Sequence, residues 1–179
     1  QGFLKLPFSA ASVCDAVSVS AHKVGGIKGC GALFLRKGRR IAPLLYGGGQ
    51  ERGMRSGTEN VPAIAAFGAA ARAYPAEAAA RVQALKEALC ARLKADLGER
   101  IVLHLPAQAS PYLLHLSLPG VKSEVALNLL SARGICVSAG SACSARRKDA
   151  RVLRAFGLPP EQIDGALRIS FSRYTTRED

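Results

Sequence analysis

An α/β fold is what this sequence predicts, and three observations carry the prediction. Short apolar runs bounded by glycine alternate with longer stretches whose leucines recur at helical spacing. Glycine-rich text gives way to helix-forming text at about residue 75, the expected domain boundary. The 179 residues are 49% hydrophobic and 21% charged, a globular balance that excludes a disordered, collagen-like or coiled-coil chain.

In chain order, residues 15–20 (DAVSVS) and 29–35 (GCGALFL) read as two buried strands, short, apolar and bounded by glycine. The polar, glycine-bearing segment 21–28 connects them. Residues 47–58, GGGQERGMRSGT, form a glycine-rich loop with two arginines. The backbone N–H groups of such a loop can approach an anion closely, a solvated loop being the alternative. Residues 62–73 predict a helix with proline in its first turn. Residues 76–97 predict a second, with Val82, Leu85, Leu89 and Leu93 on one face and Gly98 as its stop.

Strands are expected over 101–105 and 112–118. A helix then starts at Ser123-Glu124, carries Val125, Leu127, Leu129 and Leu130, and stops at Gly134. A short strand over 135–138 leads into a loop of small residues. A helix over 151–156 and a strand over 167–171 complete the expectation. The two strands before residue 62 are too few for a sheet of their own, because an isolated pair is marginal. If they belong to a parallel sheet, most of that sheet lies outside this chain.

The net charge of +12 comes from 25 Lys+Arg against 13 Asp+Glu. The basic residues are scattered, and aromatics are only 6% with no tryptophan, so nucleic-acid binding is disfavoured. An acidic partner protein or an anionic ligand suits these arginines better. The longest apolar runs, such as 64–71, fall short of the roughly 20 residues a membrane span needs. The expectation is a soluble cytoplasmic protein.

Five cysteines, at 14, 30, 90, 136 and 143, form no C-x-x-C and no zinc spacing, which points to a reducing compartment. Cys14 and Cys30 in strand-like runs, and Cys90 on a helical face, read as buried small hydrophobes. Cys143 differs. It stands in Ser138-Ala139-Gly140-Ser141-Ala142-Cys143-Ser144-Ala145, followed by Arg146-Arg147-Lys148, and nearby cations favour the nucleophilic thiolate. On spacing alone, a reactive thiol and an inert loop thiol both remain open.

Four blocks, in order, resemble one family. They are Ser18-Val19-Ser20-Ala21-His22-Lys23, the 47–58 loop ending in Gly57-Thr58, the Ser138–Cys143 loop, and Leu167-Arg168-Ile169-Ser170-Phe171. Together they resemble the pyridoxal-phosphate-dependent cysteine desulfurases of the class-V aminotransferase group, of the iron–sulfur assembly type, over essentially the whole chain.

The resemblance implies part of the type I fold of pyridoxal-phosphate-dependent transferases. Residues 1–75 would be the end of the large cofactor-binding domain, with its parallel or mixed sheet. Residues 76–179 would be a small α+β C-terminal domain carrying the cysteine loop. Lys23 corresponds to the lysine that binds pyridoxal 5'-phosphate covalently, and its amine then removes the substrate's Cα proton. Ser20 and His22 correspond to ligands of the cofactor's phosphate. Thr58 corresponds to the residue that reaches the phosphate in a neighbouring subunit, which implies a homodimer. Gln1 corresponds to the glutamine that hydrogen-bonds the cofactor's ring hydroxyl. Arg168 corresponds to the arginine that grips the substrate carboxylate, where a planar two-pronged donor fits. Cys143 corresponds to the cysteine that takes sulfur from L-cysteine as a persulfide, leaving L-alanine, and hands it to an iron–sulfur scaffold or another acceptor.

The sequence also departs from the family. Ile27 stands where proline is usual, and Ser144-Ala145-Arg146-Arg147-Lys148-Asp149 is more basic than the usual continuation. The family's long N-terminal portion is not matched, with its histidine that stacks on the cofactor ring and its aspartate for the pyridine nitrogen. The helix that usually follows residues 174–179 is cut short. The isolated chain is therefore expected to be poorly active, as a fragment or as half of a split enzyme. Competing readings are a selenocysteine lyase and a non-catalytic sulfur-relay or binding subunit using Cys143 alone.

Overall fold

The computed structural model describes residues 2–7, 9, 12, 14–139 and 151–179. The chain divides into two compact units, Gln1–Ala76 and Glu77–Asp179.

In the first unit, β1 (Ala16–Ser20) and β2 (Gly31–Leu35) pair antiparallel, in a register running from Ala16↔Leu35 to Ser20↔Gly31. The strand ends are tied outside the ladder, where Arg36 Nε and Arg39 Nε each lie 3.2 Å from Asp15 Oδ1. A single 3-10 turn, Ala21–Val24, follows β1 directly. Helix α1 (Val61–Arg72) packs against that turn. Its start is written in the sequence: the Asn60 side chain accepts from the Ala63 N–H at 3.2 Å, and Pro62 needs no partner for a first-turn nitrogen.

The expectation of two buried strands is corrected here. Leu33 is 49% and Phe34 40% exposed, and along β1 only Val17 and Val19 are half-buried. Among the described residues no third strand bonds to this pair, so apolar side chains that suit a sheet interior have nothing further to cover them. Cys14 and Cys30 are half-buried and flank the strands rather than lying within them.

The second unit closes a core. Strands β3 (Val102–His104), β4 (Leu113–Ser117) and β5 (Ala166–Ser170) form an antiparallel sheet in the order β3-β4-β5. Side chains alternate between faces with a period of two. The row Leu103↔Leu116↔Leu167 therefore shares one face with Leu114↔Ile169. These residues cluster with Cys90, Ile101 and Ala126, and Leu114 is wholly buried.

Helix α2 (Ala78–Leu97) supplies Cys90, Leu89, Leu93 and Leu97 to this core. It begins two residues later than the spacing predicts, with Glu77 at its N-cap. Lys86 is only 3% exposed, and its Nζ donates to the Ser110 carbonyl at 2.8 Å, pinning the β3–β4 connection to the helix. Helix α3 (Ser123–Ser131) turns Ala126, Leu127 and Leu130 to the core, while Val125 and Leu129 are exposed.

The strand predicted over 135–138 is reduced to one bridge, Ser138↔Arg168, because only Ser138 comes level with β5. Helix α4 (Arg151–Ala155) precedes a helix without a counterpart in the sequence reading, α5 (Pro160–Asp164). Gly165 then turns the chain into β5. A Cβ there would strike the Leu118 carbonyl, whose own N–H bonds Gly165 O at 3.0 Å, so this close approach requires glycine.

Cys90 is buried as expected, and burial pushes its thiol pKa up. Among the described residues, no helix is long and apolar enough to cross a membrane.

Candidate functional site

The turn after β1 is built by local backbone bonding. The Ala21 N–H reaches Cys30 O at 3.0 Å and extends the β1–β2 ladder by one step. The chain then folds back so that the Gly26 N–H meets Ala21 O at 2.9 Å. Gly25 supplies the left-handed step at φ 87°, and a Cβ on Gly26 would come within 2.9 Å of the Ala21 Cβ. Ala21 and Val24 plug the turn inward at 0% and 2% exposure. His22 is left exposed and Lys23 half-buried between them.

Ser20 occupies the N-cap position, yet its hydroxyl makes no capping bond. Among the described residues, the side chains of Ser20, His22 and Lys23 have no hydrogen-bond or ion-pair partner. A hydroxyl, an imidazole and an amine on one short turn form a donor set suited to a phosphate-bearing aldehyde. The first two can donate to phosphate oxygens, and the amine can condense with the carbonyl.

The glycine-rich loop is held by its own glutamine, whose Oε1 accepts from the Gly57 N–H at 3.1 Å. Glu51 and Arg52 take positive φ, 50° and 58°, which costs about 1–2 kcal/mol per residue for side chains of this kind. Thr58 ends the loop, exposed, and no hydrogen bond among the described residues joins it to Ser20, His22 or Lys23. Gln1 and Cys143, the other two expected site residues of this chemistry, lie outside the described residues.

Arg168 belongs to the second unit and stands in β5 between buried Leu167 and half-buried Ile169. Its backbone exchanges two bonds with Ser138, at 2.7 and 3.1 Å, and its Nη2 donates to Ser138 Oγ at 3.2 Å. The first residue of the Ser138–Cys143 block is thereby joined to the arginine. Arg168 Nε is buried without a hydrogen-bond partner among the described residues.

Two histidines missed in the sequence reading share its face of the sheet. The register places His104, His115 and Arg168 in one row across β3, β4 and β5, opposite the leucine core. The signal was present in Leu113-Leu114-His115-Leu116-Ser117, where polar residues alternate with leucine. Ser117 Oγ donates its one proton to the Gln162 carbonyl at 2.6 Å, so it must accept from His104 Nε2–H at 2.9 Å. His115 has its pKa pushed down to about 4, first by burial, then by His104 and Arg168. Burial lowers that of His104 as well. At neutral pH both rings are uncharged, and Arg168 is the one cation of the row. An arginine so placed can receive a carboxylate through parallel N–H groups.

The aminotransferase class-V family model matches residues 1–179. The chain is 43% identical over 169 residues to cysteine desulfurase IscS of Methanosarcina thermophila, covering 92% of this chain and 42% of that protein. It superposes on a solved NifS-like protein with a TM-score of 0.84 at 39% identity, across 99% of this chain and 47% of that one. The structure of SspA in complex with cysteine matches with a TM-score of 0.73 at 29% identity, across 98% of this chain and 49% of that one. The chain thus spans about half the length of the relatives it matches.

Proposed function

We propose that this chain, which belongs to the aminotransferase class-V family, supplies the lysine, the carboxylate-binding arginine and the sulfur-accepting cysteine of a cysteine desulfurase. Its architecture is part of the type I fold of its NifS-like neighbours. The observation that carries the functional reading is the Ser20-Ala21-His22-Lys23 turn, whose three polar side chains have no partner among the described residues and suit a phosphate and an aldehyde.

Ser20 and His22 would hold the phosphate of pyridoxal 5'-phosphate, Gln1 its ring hydroxyl, and Thr58 the phosphate of a second protomer in a homodimer. The bound cofactor supplies an electron sink for a carbanion at the substrate's α-carbon. Lys23 would hold the cofactor covalently, and its amine, when free, would take up the α-proton of the substrate. Arg168 holds the α-carboxylate of L-cysteine. The Cys143 thiolate attacks the substrate sulfur and breaks its bond to the β-carbon. The balance is L-cysteine plus the Cys143 thiol giving L-alanine plus a Cys143 persulfide, and the persulfide passes to an iron–sulfur scaffold or another acceptor.

The test supplies pyridoxal 5'-phosphate, L-cysteine and a reducing thiol to the chain alone, and to the chain joined to the portion of a relative that it does not span. Alanine and sulfide are expected in equal amounts in at least one arrangement, and Lys23→Ala and Cys143→Ser should each abolish both. Absence of alanine from both arrangements would overturn the reading.

A further inference from the structure

The polar row across the second sheet holds two unsatisfied nitrogens that complement each other. Arg168 Nε always carries a proton and is buried without an acceptor among the described residues. His115 Nε2 is likewise buried without a partner among the described residues. The two residues are direct cross-strand partners, and Arg168 acts electrostatically on His115. Side chains so paired stand roughly 5 Å apart at their Cβ atoms. A neutral imidazole has one nitrogen that can only accept, and a buried donor left unpaired costs about 1–3 kcal/mol.

We propose that His115 is a positioning residue for Arg168: protonated on Nδ1, it presents its Nε2 lone pair to the guanidinium Nε–H, directly or across one water. Ser138 Oγ holds Nη2 from another side. With those two donors engaged, the guanidinium keeps both Nη1 protons and the second Nη2 proton for an incoming carboxylate. The carboxylate is then met end-on, and the side-on approach through Nε is closed. The role of the carboxylate rests on the cysteine desulfurase reading, whereas the pairing of His115 with Arg168 does not.

Two measurements test it. In the 15N-labelled chain at neutral pH, imidazole two-bond correlations should report His115 with its proton on Nδ1, and Arg168→Met should raise its titration midpoint. A proton on Nε2, or an unmoved midpoint, overturns the pairing. In the arrangement that turns over L-cysteine, His115→Phe should raise KM about tenfold, the size of one hydrogen bond to a charged group, with kcat held within about twofold. His115→Gln, whose Oε1 stands where Nε2 does, should recover KM to within about threefold of wild type. An unchanged KM in His115→Phe, or no recovery in His115→Gln, overturns the positioning role. Should His115→Phe fail to fold, His115→Ala gives the same comparison. If wild type itself does not turn over L-cysteine, the desulfurase reading falls and the tautomer still decides the pairing.

Discussion

In residues 1–76 the candidate side chains Ser20, His22 and Lys23 stand on a turn between two largely exposed strands. In residues 77–179 the arginine stands in a strand whose neighbours seal a leucine core. The turn owes its shape to two backbone bonds and a glycine pair. Arg168 owes its place to sheet register, which the burial of Leu114, Leu116 and Leu167 enforces, since a slip of one residue would exchange the two faces. The difference predicts that the proposed chemistry and stability are separable in the first unit and coupled in the second.

Lys23→Ala should sharpen that contrast most. Alanine formation should fall at least about a thousandfold, the range of a lost acid–base group, while urea unfolding shifts by less than ~0.5 kcal/mol. A large stability loss would break the contrast. Leu114→Ala removes a wholly buried side chain and should cost about 3 kcal/mol in urea unfolding. It should also raise KM for L-cysteine, because the register that orients Arg168 loosens.

The histidines give a smaller effect, confined to the second unit. The folded-state pKa of His115 lies at about 4, below its ordinary 6.5. Its contribution is therefore full above pH 6.5, is lost as the pH falls from 6.5 towards 4, and levels off below that. With solvent screening of a half-buried group discounted, the loss is about 1–2 kcal/mol. The slope of stability against pH should flatten in His115→Gln. Smallest is Asp15→Asn, which removes the exposed ion pairs to Arg36 and Arg39. It should cost under ~1 kcal/mol in melting experiments at low salt and nothing measurable at high salt.

What was legible in the sequence was local. Helix α2 declares itself through leucines at helical spacing over twenty residues, and α1 through Asn60 and Pro62. The lysine turn and the arginine strand stood out as motif blocks. Helix α5 is five residues long, too short for its period to register. The His104–His115–Arg168 row is a property of register, joining strands whose residues lie 11 and 53 positions apart. The exposure of β1 and β2 was not legible, because apolar composition reports what a strand could bury and not what covers it.

The central claim is that Lys23 is the residue on which the cofactor is held. Borohydride reduction of the protein with pyridoxal 5'-phosphate, followed by peptide mass spectrometry, tests it directly. The account predicts a phosphopyridoxyl group on the peptide containing Lys23, at stoichiometric yield and absent from other lysines. A label spread evenly over surface lysines, or no label at Lys23, would contradict it.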